Sequence, residues 1–312
     1  HSDHDHGSES KPAAMTLEGQ GPFHVVVTIG MLGDAVREIM GESGNVTVLM
    51  GPGTDPHLYS PTRDDVVALK DADIIIYNGH HLEGRMVEQL ESMANRKPVI
   101  AAAELLPGEQ LVVGEGDEVD PHIWTDVEMW SDVIGIVTEQ LAETVPALAE
   151  DYQSRGRAYQ DQLIALHEYG KEIVTSVSED KRVLVSAHDA FEYFGREYGF
   201  EVLAIQGLST EAEAGLGDIR ELVSIISEQQ IPAVFFESSV PKKSIDSLVE
   251  GARARGHDVT IGGELYSDAM DKAGTYEGTY IGMMDHNLTT IVRSLGGEAP
   301  ERGLNAKLSA AD

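Results

Sequence analysis

"ALAEDYQSRGRAYQDQLIALHEYGKEIVTSV", residues 147–177, decides how the rest of the chain is divided. Its apolar residues Leu148, Tyr152, Tyr159, Leu163, Leu166, Ile173 and Val177 are separated by sums of 3 and 4, the repeat of one helical face. One helix of ~30 residues rises about 45 Å, enough to run along two domains. Gly156 and Gly170 fall inside it, and each costs roughly 1 kcal/mol against alanine, so packing must outweigh propensity. A helical connector is stiff, which predicts small hinge motion between the parts it joins.

Short β-branched runs lie on both sides. Before the helix they are "HVVVTI" (24–29), "NVTVLM" (45–50), "DIIIYN" (73–78) and "PVIAAA" (98–103). After it come "RVLVSA" (182–187), "EVLAIQ" (201–206), "AVFFES" (233–238) and "DVTIGG" (258–263). These are continuous apolar runs rather than alternations, as parallel strands buried on both faces require. Helical patterns fill the gaps, among them 62–70, 82–94, 218–228 and 243–255. The expected fold is α/β: two four-stranded, mostly parallel lobes, 22–146 and 179–312, joined by one long backbone helix at 147–178. Residues 1–21 are polar and Gly/Ser-rich, and a disordered leader is expected there, its His1, His4 and His6 at best weak metal scavengers.

Composition narrows the function. The 312 residues are 41% hydrophobic and 24% charged, the balance of a globular chain. Against 22 basic side chains stand 54 acidic ones, a net charge of −32. That argues against nucleic acid and anionic membranes as partners, since phosphate contacts need Lys or Arg. The acidity reads as a solvated surface or as a field that gathers cations. With no cysteine there is neither disulfide nor thiolate metal site, which fits an exported protein made without redox help. No apolar run approaches the ~20 residues of a membrane span. The start, "HSDHDHGSESKPAAMTLEGQG", has no basic segment followed by an apolar one, so it reads as the leader of a mature or trimmed chain whose signal peptide has been removed.

The histidines give the chemistry. In open α/β sheets ligands bind beyond the carboxyl ends of the strands. His57 follows the second run, His122 closes the loop after the fourth, His188 comes directly off the fifth, and Asp268 follows the eighth. Each lobe thus supplies two groups to the cleft, and three imidazoles with one carboxylate suit a borderline divalent ion. Asp-Pro precedes both His57 and His122. Proline fixes φ near −65° and restricts the residue before it, so each imidazole arrives oriented, with Asp55 and Asp120 placed to cap the turns or hold the rings.

The residues alone leave a plainer reading open, in which these are ordinary loop histidines and Asp268 an N-cap. His81 reads as structural, His80 as exposed, and His24, His167, His257 and His286 as structural. Glu192 lies four residues after His188 and reads as a spare carboxylate or a solvated helix position. Glu211, Glu213 and Glu237 are placed in loops, for lobe packing or partner contact. G-x-G-x-x-G after a strand, the phosphate-loop motif, G-x-S-x-G and H-E-x-x-H are all absent, which leaves no fingerprint for an organic substrate or for catalysis.

Several stretches together, "LMGPGTDPHLYSPTRDD", "ADIIIYNGHHLE", "DPHIWTDV", "VLVSAHDAFEYFGREYGFEV", "IPAVFFESSVPKKSI" and "GGELYSDAMDKAGTYEGTYIGM", resemble the TroA-type metal-binding receptors, the solute-binding proteins of zinc and manganese ABC importers. The resemblance spans about Phe23 to Leu295. It implies a metal held in the interlobe cleft by His57, His122, His188 and Asp268. Manganese-preferring relatives often carry Glu where His188 stands, and zinc-dedicated ones a His-rich loop where this chain has the acidic "GEQLVVGEGDEVDPH". The expected cargo is therefore Zn²⁺ first, as the Irving–Williams order also favours, with Mn²⁺ as the alternative.

The resemblance further implies an extracytoplasmic protein, periplasmic or lipid-anchored, that is a monomer and hands its ion to a membrane permease. Affinity should collapse below about pH 6, because imidazoles must be neutral to ligate. The rival readings are a zinc-dependent hydrolase, which would want three protein ligands and an open water position, and a surface adhesion protein stabilised by structural metal.

Overall fold

Chain order dictates the layout. In the computed structural model, which describes residues 15–213 and 215–309, β1 (Phe23–Val27), β2 (Gly44–Val48), β3 (Ile74–Tyr77) and β4 (Val99–Ala101) form one all-parallel sheet in the order β2-β1-β3-β4. The register pairs Val25 with Val46, Val26 with Ile75, and Ile76 with Ile100. Val25, Val26 and Val27 are buried, and so are Ile74, Ile75 and Ile76. Burial of consecutive residues means that both sheet faces are covered. The covering helices are α1 (Gly30–Met40), α2 (Arg63–Asp71) and α3 (Val87–Met93). α2 starts where Thr62 and Asp65 cap each other reciprocally.

The second lobe repeats the winding. β5 (Val183–His188) pairs in parallel with β6 (Glu201–Gln206), and β7 (Ala233–Glu237) with β8 (Thr260–Leu265). β5 and β7 run side by side, so the spatial order β6-β5-β7-β8 matches that of the first lobe. The hydrogen-bonded ladders nevertheless form two separate pairs rather than one four-stranded sheet. α6 (Glu192–Tyr198), α7 (Leu216–Gln229), α8 (Lys243–Ala254) and α9 (Tyr280–Ser294) complete this half.

Between the lobes, α4 (Val127–Thr144) turns through Pro146 into α5 (Ala149–Val174), the long helix expected over 147–178. It is 26 residues long, with its first turn replaced by a 3-10 turn at Pro146–Leu148. The two glycines have packing reasons. A Cβ on Gly156 would sit 2.3 Å from Thr138 Oγ1 of α4, and one on Gly170 would lie 2.9 Å from Tyr198 and 3.0 Å from Leu288. α5 also fastens both halves: Tyr159 donates to Asp34 Oδ2 of α1 at 2.9 Å, and Tyr169 shares a 2.8 Å hydrogen bond with Thr289 of α9.

The end of the expected leader is tied down, since Leu17 packs on the core and its N–H donates to the Thr144 carbonyl at 2.7 Å. His1, His4 and His6 lie outside the described residues. Among the described residues no helix is long and apolar enough to cross a membrane.

Candidate metal centre

The two Asp-Pro-His turns are built alike. Each aspartate accepts the N–H of the histidine two residues on, Asp55 Oδ1 from His57 at 2.9 Å and Asp120 Oδ1 from His122 at 3.0 Å. Such an aspartate turn, with proline between, fixes the direction in which each imidazole leaves the backbone. From there the two diverge. Asp120 also takes His122 Nδ1 at 2.7 Å, whereas the other oxygen of Asp55 accepts the Thr210 hydroxyl of the second lobe at 2.5 Å. Asp120 therefore holds a ring, while Asp55 caps a turn and ties the lobes.

The four residues singled out by chain position converge. His57, His122, His188 and Asp268 are all buried, and each offers a ligand-type atom within 4.8 Å of the others. His57 Nε2 and His122 Nε2 are 3.2 Å apart. Asp268 Oδ2 is 3.5 Å from His57 Nε2 and 3.2 Å from His188 Nε2, and its Oδ1 is 3.5 Å from His122 Nε2. Among the described residues neither Asp268 oxygen, nor His188 Nε2, has an aligned hydrogen-bond partner, although all three are fully buried. Polar atoms sequestered this way are costly unless something else satisfies them.

His188 is the last residue of β5, and it is gripped from behind by Glu237, which contacts its Nδ1. Burial lowers the His188 pKa, but the Glu237 and Asp268 carboxylates outweigh it and hold the imidazole well above its ordinary value. For Asp268 burial acts upward and the His188 and His122 imidazoles downward, and the imidazoles win, leaving it well below the carboxylate range.

Three sequence expectations are corrected. Glu237 is not in a loop; it ends β7, buried, with its carboxylate on β5. The adjacent histidines exchange roles: His81 is exposed, while His80 is half-buried, with its Nε2 3.2 Å from the Ala103 carbonyl. Glu192 opens α6 half-buried beside Asp189, whose carboxyl is pushed up to about 7 by burial and by the neighbouring Glu192 and Asp120. Glu211 faces Arg85 across the cleft at 3.7 Å, and Glu213 is exposed.

Sequence reasoning missed Glu83. Fully buried, it accepts from the Thr28 hydroxyl at 2.6 Å and from the N–H groups of Asn78 and Gly79 at 2.7 and 3.1 Å. Asn78 in turn donates to the Pro121 carbonyl at 3.0 Å, bracing the His122 turn. A charged residue ending an apolar strand run is a signal that marks Glu237, whereas Glu83 lies six residues beyond the end of β3.

A looser group, Glu128, His167 and Glu197, lies at the α4–α5–α6 junction, but it is partly exposed and Glu197 already pairs with Lys171 at 2.7 Å. Trp124 spans the cleft, its indole N–H donating to the Ser267 carbonyl at 2.7 Å while its own carbonyl accepts the Tyr280 hydroxyl at 2.7 Å. His24, His257 and His286 are occupied by Thr47 and by the carbonyls of Ile231 and Glu264.

Known proteins share this architecture. The chain is 46% identical over 290 residues to the zinc-binding protein TroA of Treponema pallidum, covering 93% of each chain. It is 45% identical over 274 residues to the manganese-binding lipoprotein MntA of Bacillus subtilis, covering 88% of this chain and 90% of the relative. The solved structure of the periplasmic zinc-binding protein TroA from Treponema pallidum superposes with a TM-score of 0.86 at 47% identity, over 88% of this chain and 99% of the other. Residues 25–294 match the family described as zinc-uptake complex component A, periplasmic, and the chain belongs to that family.

Proposed function

We propose that the protein is an extracytoplasmic solute-binding receptor that captures Zn²⁺, with Mn²⁺ as the alternative cargo, and delivers it to the membrane permease of an ABC-type importer. The observation that carries this reading is the buried quartet of His57, His122, His188 and Asp268, in which the two Nε2 atoms of His57 and His122 lie 3.2 Å apart and the Asp268 oxygens lie 3.2–3.5 Å from the three imidazoles. Tetrahedral zinc with bonds of 2.0–2.1 Å separates its ligand atoms by about 3.3 Å. Three imidazoles and one carboxylate also favour zinc over manganese in intrinsic affinity.

The cargo supplies what the quartet lacks, positive charge for the two unpartnered Asp268 oxygens and an acceptor for the His188 Nε2 lone pair. Asp120 and Glu237, acting as acceptors, keep ring protons on Nδ1 of His122 and His188, so that Nε2 of each faces the ion. Four protein ligands leave no open water position, which supports a receptor over a zinc hydrolase. All four come from one chain, which supports a monomer. Relatives named for zinc and manganese binding support the cargo class, and the family's periplasmic description supports the location.

The test is elemental analysis of the purified protein followed by competition titration of the metal-free chain. Zinc should bind at one equivalent and outcompete manganese. Tighter binding of Mn²⁺ than Zn²⁺ would overturn the order of cargoes, and absence of stoichiometric binding of either would remove the receptor reading.

A further inference from the structure

The second lobe contains a seam. β5 bonds to β6 and β7 to β8, and among the described residues no ladder joins β5 to β7 although the two lie side by side. His188 ends β5 and Asp268 follows β8, so the two site residues of this lobe stand on opposite sides of the seam. At its carboxyl end sits Glu237, only 2% exposed. Oε1 accepts the N–H groups of Ala187 and His188 at 2.8 and 2.9 Å, and Oε2 contacts His188 Nδ1. One carboxylate of β7 thus gathers three donors of β5. In the first lobe Glu83 occupies the corresponding place between β1 and β3, but there a ladder also joins the strands.

We propose that Glu237 is a positioning residue for the cargo. It acts as a clasp that sets the distance from His188 to Asp268 across the unladdered seam and keeps the His188 proton on Nδ1, leaving Nε2 to face the cation. The inference rests on the receptor reading above. A carboxylate is suited to both tasks because it only accepts, so all three contacts must be donated by β5. Without the clasp, no hydrogen bond among the described residues would join β5 to β7, and only side-chain packing would hold the two strands in place.

Glu237→Gln separates the two tasks. The amide fills the same volume and its oxygen can still accept the two backbone N–H groups. Its NH₂ must then meet Nδ1, which favours the tautomer protonated on Nε2, the wrong atom for a ligand. The expected result is a folded variant that keeps slow hydrogen exchange at the Ala187 and His188 amides but binds zinc roughly 10–100-fold more weakly. Glu237→Ala should lose the affinity and that protection together. Zinc binding by Glu237→Gln within about twofold of the parent would overturn the proposal, as would a lowered melting temperature with affinity intact.

The parent protein provides a check that does not depend on any variant folding. Imidazole ¹⁵N shifts in the zinc-loaded chain should place the proton of His188 on Nδ1 and the metal on Nε2, and the reverse assignment overturns the clasp. His188→Ala keeps the two readings apart. Its loss of affinity with Glu237→Gln unaffected sinks the clasp alone, whereas full affinity in His188→Ala sinks the ligand set itself.

Discussion

Among the described residues, Asp268 is the one buried carboxylate with both oxygens lacking an aligned partner. Two carboxylate oxygens, fully buried and without an aligned donor among the described residues, face three imidazoles. Removing this group as Asp268→Ala should therefore weaken zinc by more than about 100-fold, beyond the 10–100-fold typical of a residue that only supports a ligand, as competition with a chromophoric chelator would read. Proton competition belongs to the same scale. Because Glu237 and Asp268 hold His188 well above its ordinary pKa, the metal-free imidazole grips its proton more tightly than a free histidine does, and zinc must displace that proton. The sign follows: affinity rises with pH and falls as pH drops, by about tenfold per unit for each proton displaced. Titration at about pH 7.5 and about pH 5.5 checks it, and equal affinities would show that His188 is not a ligand.

The residues that chain position revealed are those whose geometry is local. Asp120, Pro121 and His122 write their turn in three consecutive letters, and so do Asp55, Pro56 and His57. Glu237 and Glu83 stayed hidden because their contacts with His188 and Thr28 span 49 and 55 residues, beyond any local pattern.

At the scale of elements, α5 shows why a helix tolerates glycine at its centre. Alanine at Gly156 gains roughly 1 kcal/mol of helix propensity, yet its Cβ would meet Thr138 Oγ1 at 2.3 Å. Overpacking of that kind costs about 1–3 kcal/mol, so Gly156→Ala should lower stability on balance. Thr138→Ala in the same chain should recover most of the loss, as urea midpoints would show. A stabilised single variant would mean that α4 and α5 pack less closely than described. The strands themselves were readable, since runs such as "DIIIYN" are apolar on both faces wherever a parallel sheet is sandwiched. The seam in the second lobe was not, because ladder pairing depends on how neighbouring strands tilt, and "RVLVSA" and "AVFFES" look as apolar as any others.

For the molecule as a whole, the main hydrophobic core does not stop at the lobe boundary. It passes from the first sheet through α5 into α9 and the aromatic cluster of Phe191, Phe194 and Tyr198, while a smaller core serves the outer part of the second lobe. Asp34 reinforces the junction by accepting from both Tyr159 and the Tyr280 N–H at 2.9 Å each. Such continuity argues for small hinge movement and for a chain that stays folded without cargo. Calorimetry should show a metal-free form with unchanged helix content, and zinc at a hundred times its Kd should add about 2.7 kcal/mol of stability. Unfolding on chelation would instead assign the metal a structural role. The charge of −32 suits this task, since an acidic surface raises the local concentration of divalent cations.

Trp124 stands two residues beyond His122, its ring centroid 5.5 Å from that imidazole, while the other tryptophan, Trp130, stacks on Tyr280. The chain therefore contains its own optical gauge. Emission from Trp124 should change in step with cargo uptake, that from Trp130 should stay constant, and Trp124→Phe should silence the signal while capture continues. With that gauge, loading and discharge could be timed in stopped flow with no dye attached.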